Sequence, residues 1–231
     1  MTGARTAQNA GSARPRSIAL LIVGVLAAVC QSNFIIDWIL RGGSGMDQII
    51  STLAADGEPN ARLLRATDAA CAVLVLVLTP FVRAALPPGR WRRVVVVGLV
   101  GFAVGAFAAA VFSSCGHGSS CTGSAAIEAL WHDAASLVSE AGIIASIVGS
   151  WVLTRRAGPR WLHRWSMIVI AIVVAVLVAS VLTALVSGST ATPLGAYLQR
   201  VQVLATSSWL VALGVLASRS PAPRDPAQSQ D

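Results

Sequence analysis

The sequence predicts an all-α protein, a polytopic transmembrane bundle of six helices with both termini in the cytoplasm. Three observations carry that expectation. Of the 231 residues, 55% are hydrophobic and only 12% charged, half the roughly 25% charge of an ordinary soluble domain. The apolar residues gather into runs of about 18 to 22, long enough to cross about 30 Å of hydrocarbon at 1.5 Å per residue. All seventeen basic residues are arginine, and most fall at one side of those runs, as cytoplasmic loops require. Within lipid such runs must be helical, because every backbone amide needs a partner in its own segment.

The spans follow in order. Residues 1–16 are small, polar and basic and read as a disordered tail. The first span covers residues 17–37. A signal peptide would explain Arg14 and Arg16 ahead of an apolar stretch, but Val29 is a poor residue before Cys30 for lipoprotein cleavage. The apolar run also continues through Phe34-Ile35-Ile36, so the segment reads as retained. The second span covers 67–86 and is stopped by Pro87-Pro88-Gly89. The third covers 94–112, where Gly101 and Gly105 form a G-x-x-x-G step that permits close helix approach. The fourth covers 133–153 and the fifth 165–186. Thr192-Pro193 supplies an N-cap followed by proline at the first helical position, so the sixth runs from 193 to 218. Residues 17–217 thus read as one membrane domain. Residues 218–231 are Pro-rich, polar and expected to be disordered.

Arginine placement sets the orientation. Arg5, Arg14, Arg16, Arg83, Arg90, Arg92, Arg93, Arg155, Arg156, Arg160, Arg164, Arg219 and Arg224 share the side of the N-terminus, against Arg41, Arg62, Arg65 and Arg200 on the other. The bias puts both termini inside and explains the net charge of +7 without nucleic acid as a partner. The lysine-free Ala, Val, Gly and Arg bias suits a bacterium with a GC-rich genome, so the expected location is the bacterial cytoplasmic membrane.

The outer side carries the chemically mixed residues. In Cys115-Gly116-His117-Gly118-Ser119-Ser120-Cys121 the two cysteines are expected to form a disulfide in an oxidising compartment. A metal site from Cys115, His117 and Cys121, joined by His132, is the alternative. His132, Ser136 and Glu140 are spaced four apart and stack on one helical face. Glu140 lies about 10 Å deeper than Asp133 at 1.5 Å per residue, a costly depth for a carboxylate that is not paired, protonated or hydrated. Gln31, Asn33 and Asp37 lie on the first helix, Arg65 and Asp68 at ion-pair spacing on the second, and Gln199, Arg200, Gln202 and Thr206 on the sixth.

If these faces converge, they enclose a polar pocket open to the outside. Arg65 and Arg200 would then balance Asp37, Asp68, Asp133 and Glu140. The alternative is that each sits separately among lipid headgroups. Ser51, Asp68 and His132 also offer a hydroxyl, an acid and a base for hydrolysis, although no nucleophile-elbow pattern supports them. There is no phosphate loop, dinucleotide fingerprint or H-E-x-x-H motif, and no cofactor or resident metal is expected.

The stretch Ile49-Ile50-Ser51-Thr52-Leu53-Ala54-Ala55-Asp56-Gly57-Glu58-Pro59, then Leu63-Leu64-Arg65-Ala66-Thr67-Asp68, resembles the prokaryotic family catalogued as domain of unknown function 998. The resemblance extends to Cys115 and Cys121, to His132-Asp133-Ala134-Ala135-Ser136, and to Gly195 with Gln199-Arg200. It covers about residues 17 to 217 and implies a six-pass membrane protein with no assigned activity. One departure is Thr52, where the family's S-E-L motif carries glutamate; Asp47 or Glu58 would have to substitute. Three functions remain open: binding or moving a small molecule or lipid at the outer cluster, a membrane-embedded hydrolase acting on outer-leaflet lipid, and a scaffold for another membrane protein. An uncovered small-residue face on the third helix would favour the scaffold.

Overall fold

The structure, a computed structural model, describes residues 4–116, 121–189 and 191–219, with side chains from residue 17 onward. Its elements are α1 (Ala4–Gln31), α2 (Phe34–Leu40), α3 (Ile50–Leu53), α4 (Ala61–Ala85), α5 (Arg90–Val111), α6 (Ser124–Thr154), α7 (Arg160–Ser187) and α8 (Pro193–Ser218). There is no strand among the described residues. Among the described residues five helices are long and apolar enough to cross a membrane, and the bent pair α1 and α2 passes the same test together, which makes six crossings if the pair is one span. The backbone of residues 4–16 continues α1 upstream, while residues 220–231 of the expected C-terminal tail lie outside the described residues.

Two elements differ from the sequence reading. The first span is broken: α1 and α2 meet at 56° across Ser32 and Asn33. The chain resumes through a tight step, with Ile35 N donating to Ser32 O at 3.0 Å, and both polar side chains at the break are tied to other helices. The fourth span starts earlier than expected, at Ser124 rather than Asp133. Ala125-Ala126-Ile127-Glu128-Ala129-Leu130 is a run of good helix formers, so His132 sits two turns inside the helix. At about 46 Å for 31 residues, α6 exceeds the hydrocarbon and must tilt or protrude. The cap of α8 is as expected, with Thr192 Oγ1 accepting from Gly195 N at 3.1 Å.

Small residues decide which helices touch. A Cβ at Gly98 on α5 would lie 2.6 Å from Gly142 O on α6, and one at Gly105 would lie 2.6 Å from Ala135 O. Backbone contact of that kind replaces the hydrophobic drive that lipid cannot supply between helices. The small-residue face of the third span is therefore covered within the chain, which removes the feature that favoured a scaffold. A second crossing, Gly24 on Gly214, joins α1 to α8. The helix α8 packs against α1, α4 and α7 and buries Trp209, whose indole N–H donates to Ser146 Oγ of α6 at 3.0 Å. Leu78, Leu99, Phe102, Ile147 and Leu213 belong with it to one continuous core.

Replacing Gly98 or Gly142 with alanine is expected to lower the melting temperature in detergent, by about 1–3 kcal/mol of overpacking. Gly101→Ala, whose Cβ would have its nearest neighbour 3.8 Å away, is expected to melt like the parent. Equal melting of all three would show that the α5–α6 contact is looser than described.

Candidate functional site

The arginine-poor end of the bundle is shaped by how its polar backbone is satisfied. After α2 the chain turns back through glycines with left-handed backbone, among them Gly45 at φ +84° and Gly57 at φ +95°, a region other residues rarely enter. The strap between them carries α3 across the helix ends. Arg200 of α8 donates to Gln48 O at 2.8 Å and to Gly45 O at 2.9 Å. Gln199 Oε1 accepts from Ile50 N at 2.7 Å. On the opposite side Ser114 Oγ donates to Ser51 O at 2.5 Å and Asp56 N donates to Ser113 Oγ at 3.0 Å. The strap is thus pinned to α8 and to the segment after α5.

Beneath the strap lies a cavity of about 160 Å³, room for about five waters at 30 Å³ each. Gln31 and Asn33 line it from the α1–α2 break, Ser51 from α3 and Asp68 from α4. His132, Ser136, Ser139 and Glu140 come from α6 and Gln199 from α8, with Leu64, Ala106, Ala109 and Val203 between them. The helix faces converge, and Gln31, Asn33, Ser51, Asp68, His132, Ser136, Glu140 and Gln199, all singled out in the sequence, meet in one place. Asp37, Arg65, Asp133 and Arg200 do not line it.

Asp37 is 1% exposed and belongs to a structural network. Arg41 Nε lies 2.9 Å from Asp37 Oδ1, Arg41 Nη1 3.0 Å from Glu58 Oε2, and Asn60 Nδ2 donates to Asp37 Oδ1 at 2.8 Å. Burial works against the Arg41 charge, but hydrogen bonds and charge from Asp37 and Glu58 outweigh it and hold its pKa above the ordinary arginine value. The sequence reading missed this role of Arg41, Glu58 and Asn60; the i, i+4 spacing of Asp37 and Arg41 was the available signal. Arg65 does not pair with Asp68, because it turns outward to Asp56 at 2.8 Å while Asp68 turns inward. Arg200 balances no carboxylate of the cavity. Its terminal nitrogens donate to strap carbonyls and to Ala196 O, its Nε is buried without a partner, and the guanidinium lies over the Phe34 ring, 5.5 Å from the centroid. Asp133 is exposed and lines a separate cavity of about 420 Å³ with Asp47, Thr52 and Cys115.

The two cavity acids face amides rather than cations. Asn33 Nδ2 donates to Asp68 Oδ1 at 2.7 Å and also lies 3.1 Å from Leu64 O. Gln202 Nε2 donates to Glu140 Oε1 at 2.6 Å. His132 Nδ1 lies 2.9 Å from Ala109 O and 3.1 Å from Phe112 O. Both partners only accept, so Nδ1 carries the proton and Nε2 of the neutral ring keeps its lone pair. Those carbonyls sit at the end of α5, where the last helical turn lacks partners of its own. His132 is held by α5, then, and not by Asp68. A Ser-His-Asp relay would need a carboxylate on Nδ1, and that position is filled by backbone.

Cys115 and Cys121 form a disulfide, with Cα atoms 5.9 Å apart, which takes both thiols from the alternative metal site. His117 lies outside the described residues. Thr52, where the resemblance places glutamate, donates to Ile49 O at 2.8 Å and shares the separate cavity with Asp47. Glu58 is engaged by Arg41, so Asp47 is the acid placed beside that position.

Replacing Arg200 with glutamine is expected to speed amide hydrogen exchange over residues 45–54 about tenfold, the equivalent of one hydrogen bond to a charged donor. Exchange in α7 is expected to stay unchanged. An unaltered strap would mean that Arg200 does not hold it.

No curated protein and no solved structure shows significant similarity to the chain. A family match spans nearly the whole membrane region and agrees with the helical bundle described above. Over residues 21–216 the chain matches, and so belongs to, the family described as Protein of unknown function (DUF998).

Proposed function

We propose that this multi-pass membrane protein binds a small, positively charged, hydrogen-bond-donating group in the cavity beneath the strap. The group would enter from the outer side of a bacterial cytoplasmic membrane in which both chain termini face the cytoplasm. The observation that carries the reading is the balance of donors and acceptors. Among the described residues no arginine lines the cavity, and Arg41, Arg65 and Arg200 make contacts elsewhere. Asp68 and Glu140 each have one carboxylate oxygen bonded to an amide, leaving Oδ2 and Oε2, together with His132 Nε2, as acceptors. A primary ammonium supplies three donors and the complementary charge. Each open acceptor that gains a donor from the ligand adds to the ligand's affinity. The volume limits the occupant, since drug-sized ligands need roughly 300–1,000 Å³. A free amine, or the amine of a lipid headgroup with its chains outside, fits these dimensions.

A second reading, hydrolysis of outer-leaflet lipid, is favoured by one observation: Ser51 and His132 line the same cavity. It needs His132 Nε2 to take the Ser51 proton without a carboxylate orienting the ring, so Asp68 would act on substrate charge. Under this reading Ser51→Ala would abolish lipid turnover and leave amine binding intact.

Thermal shift with ethylammonium and its neutral analogue ethanol, alongside acetate, separates the outcomes. Ethylammonium alone is expected to raise the melting temperature, with the effect lost in Asp68→Asn and Glu140→Gln, each of which removes a charge at nearly constant shape. Native mass spectrometry of protein gently released from its membrane then distinguishes a retained aminophospholipid from a free amine. A shift by acetate, or equal shifts in the parent and both variants, would refute the cation reading.

A further inference from the structure

The helices α1 and α7 both pack against α8, and between them a strip of small α8 side chains stays low. Ser208, Val211, Ala212 and Val215 form the floor, while Val25, Val29 and Ile35 rise from α1 and α2 as one wall. At the far end Trp161 and Trp165 of α7 form the other wall. Two hollows of about 430 and 550 Å³ share Ser208 and Val211, so the furrow is continuous. It begins level with the bond between Ser32 and Ser207 hydroxyls, 2.8 Å long, near the middle of α8. It ends at Arg219, the C-cap of α8. Those twelve residues span about 18 Å at 1.5 Å rise, close to one leaflet of a hydrocarbon core about 30 Å thick.

We infer that this furrow is a binding site for one acyl chain of an anionic phospholipid whose headgroup charge rests on Arg219. The apolar walls and leaflet-length run fit a chain, and the polar end fits its headgroup. Arg219 is exposed and lies over the Trp161 ring, 5.4 Å from the centroid. No carboxylate pairs with it among the described residues. An arginine steadied by an aromatic at the membrane interface, with its donors unspent, selects negative over zwitterionic headgroups.

The site stands apart from the cavity beneath the strap, so it does not depend on the function proposed for that cavity. The test is native mass spectrometry of the delipidated full chain titrated with dioleoyl phosphatidylglycerol or dioleoyl phosphatidylcholine. The expected result is a single phosphatidylglycerol adduct with about fivefold tighter apparent binding, the worth of one arginine near anionic lipid. Arg219→Gln is expected to erase the preference. Val211→Trp, which fills the shared floor, is expected to remove the adduct with either lipid, whereas Glu140→Gln leaves both unchanged. Equal binding of the two lipids, a preference that survives Arg219→Gln, or dimers in place of lipid adducts would overturn the assignment.

Discussion

A break in one helix organises the whole arginine-poor half of the molecule. Unbroken, the first span would carry Asp37 into the headgroups and leave Asn33 on an apolar wall. Instead, at Ser32 and Asn33 the chain turns by 56°, and the two side chains at the turn take their hydrogen bonds from other helices. Ser32 bonds to Ser207 of α8, and the Asn33 amide reaches Leu64 O and Asp68 of α4. Polar groups inside a membrane have no water to fall back on, so these bonds fix the direction of α2. With α2 set, Asp37 comes to face Asn60 and Arg41 reaches Glu58. Those contacts close the segment that leads into α4.

The same economy of polar groups explains the character of the cavity. Each arginine at this end that makes a contact is drawn away from it: Arg41 to Asp37 and Glu58, Arg65 to Asp56, Arg200 to strap carbonyls. The acids that remain inside meet carboxamides, each of which donates to one carboxyl oxygen. Glutamine and asparagine therefore hold Glu140 and Asp68 in place and leave the second oxygen of each without a hydrogen bond. His132 follows similar logic, since its bonds to the end of α5 fix the tautomer that presents Nε2 as an acceptor. The roof over these groups depends on glycine backbone at Gly45 and Gly57 and on the Arg200 bonds, so access to the cavity and the integrity of the strap are linked.

Much of this was legible in the sequence, and the failures have physical causes. Apolar run length locates the crossings, because hydrocarbon thickness leaves few alternatives. The i, i+4 spacing of His132, Ser136 and Glu140 identifies a face that does line the cavity. Helix periodicity does not say where a buried side chain finds its partner, so Arg65 was matched to Asp68, its neighbour along the helix, rather than to Asp56 across a turn. Arg200 looked like a counter-charge because its carbonyl partners at Gly45 and Gln48 carry no sequence signature. The bend at Asn33 was hidden by the apolar residues on both sides, and the early start of α6 by the glycines, serines and cysteines just ahead of it. The G-x-x-x-G step marked the right helix but half the right residues: Gly105 and Gly98 have no room for a side chain against α6, whereas Gly101, whose backbone also meets Gly142, has space for a Cβ.

The central claim is that an acceptor-rich cavity beneath the strap admits a small cation from the outer side. Its most direct test is the reaction rate of Ser136→Cys with methanethiosulfonate reagents added outside intact cells, Cys30 and Cys71 being replaced by alanine. The account predicts that the ethylammonium reagent modifies Cys at this position at least about tenfold faster than the ethylsulfonate reagent, the enrichment a charged cleft imposes on a counter-ion. The difference should disappear when Asp68→Asn and Glu140→Gln are added. Equal rates for the two reagents, or modification only from the cytoplasmic side, would contradict it.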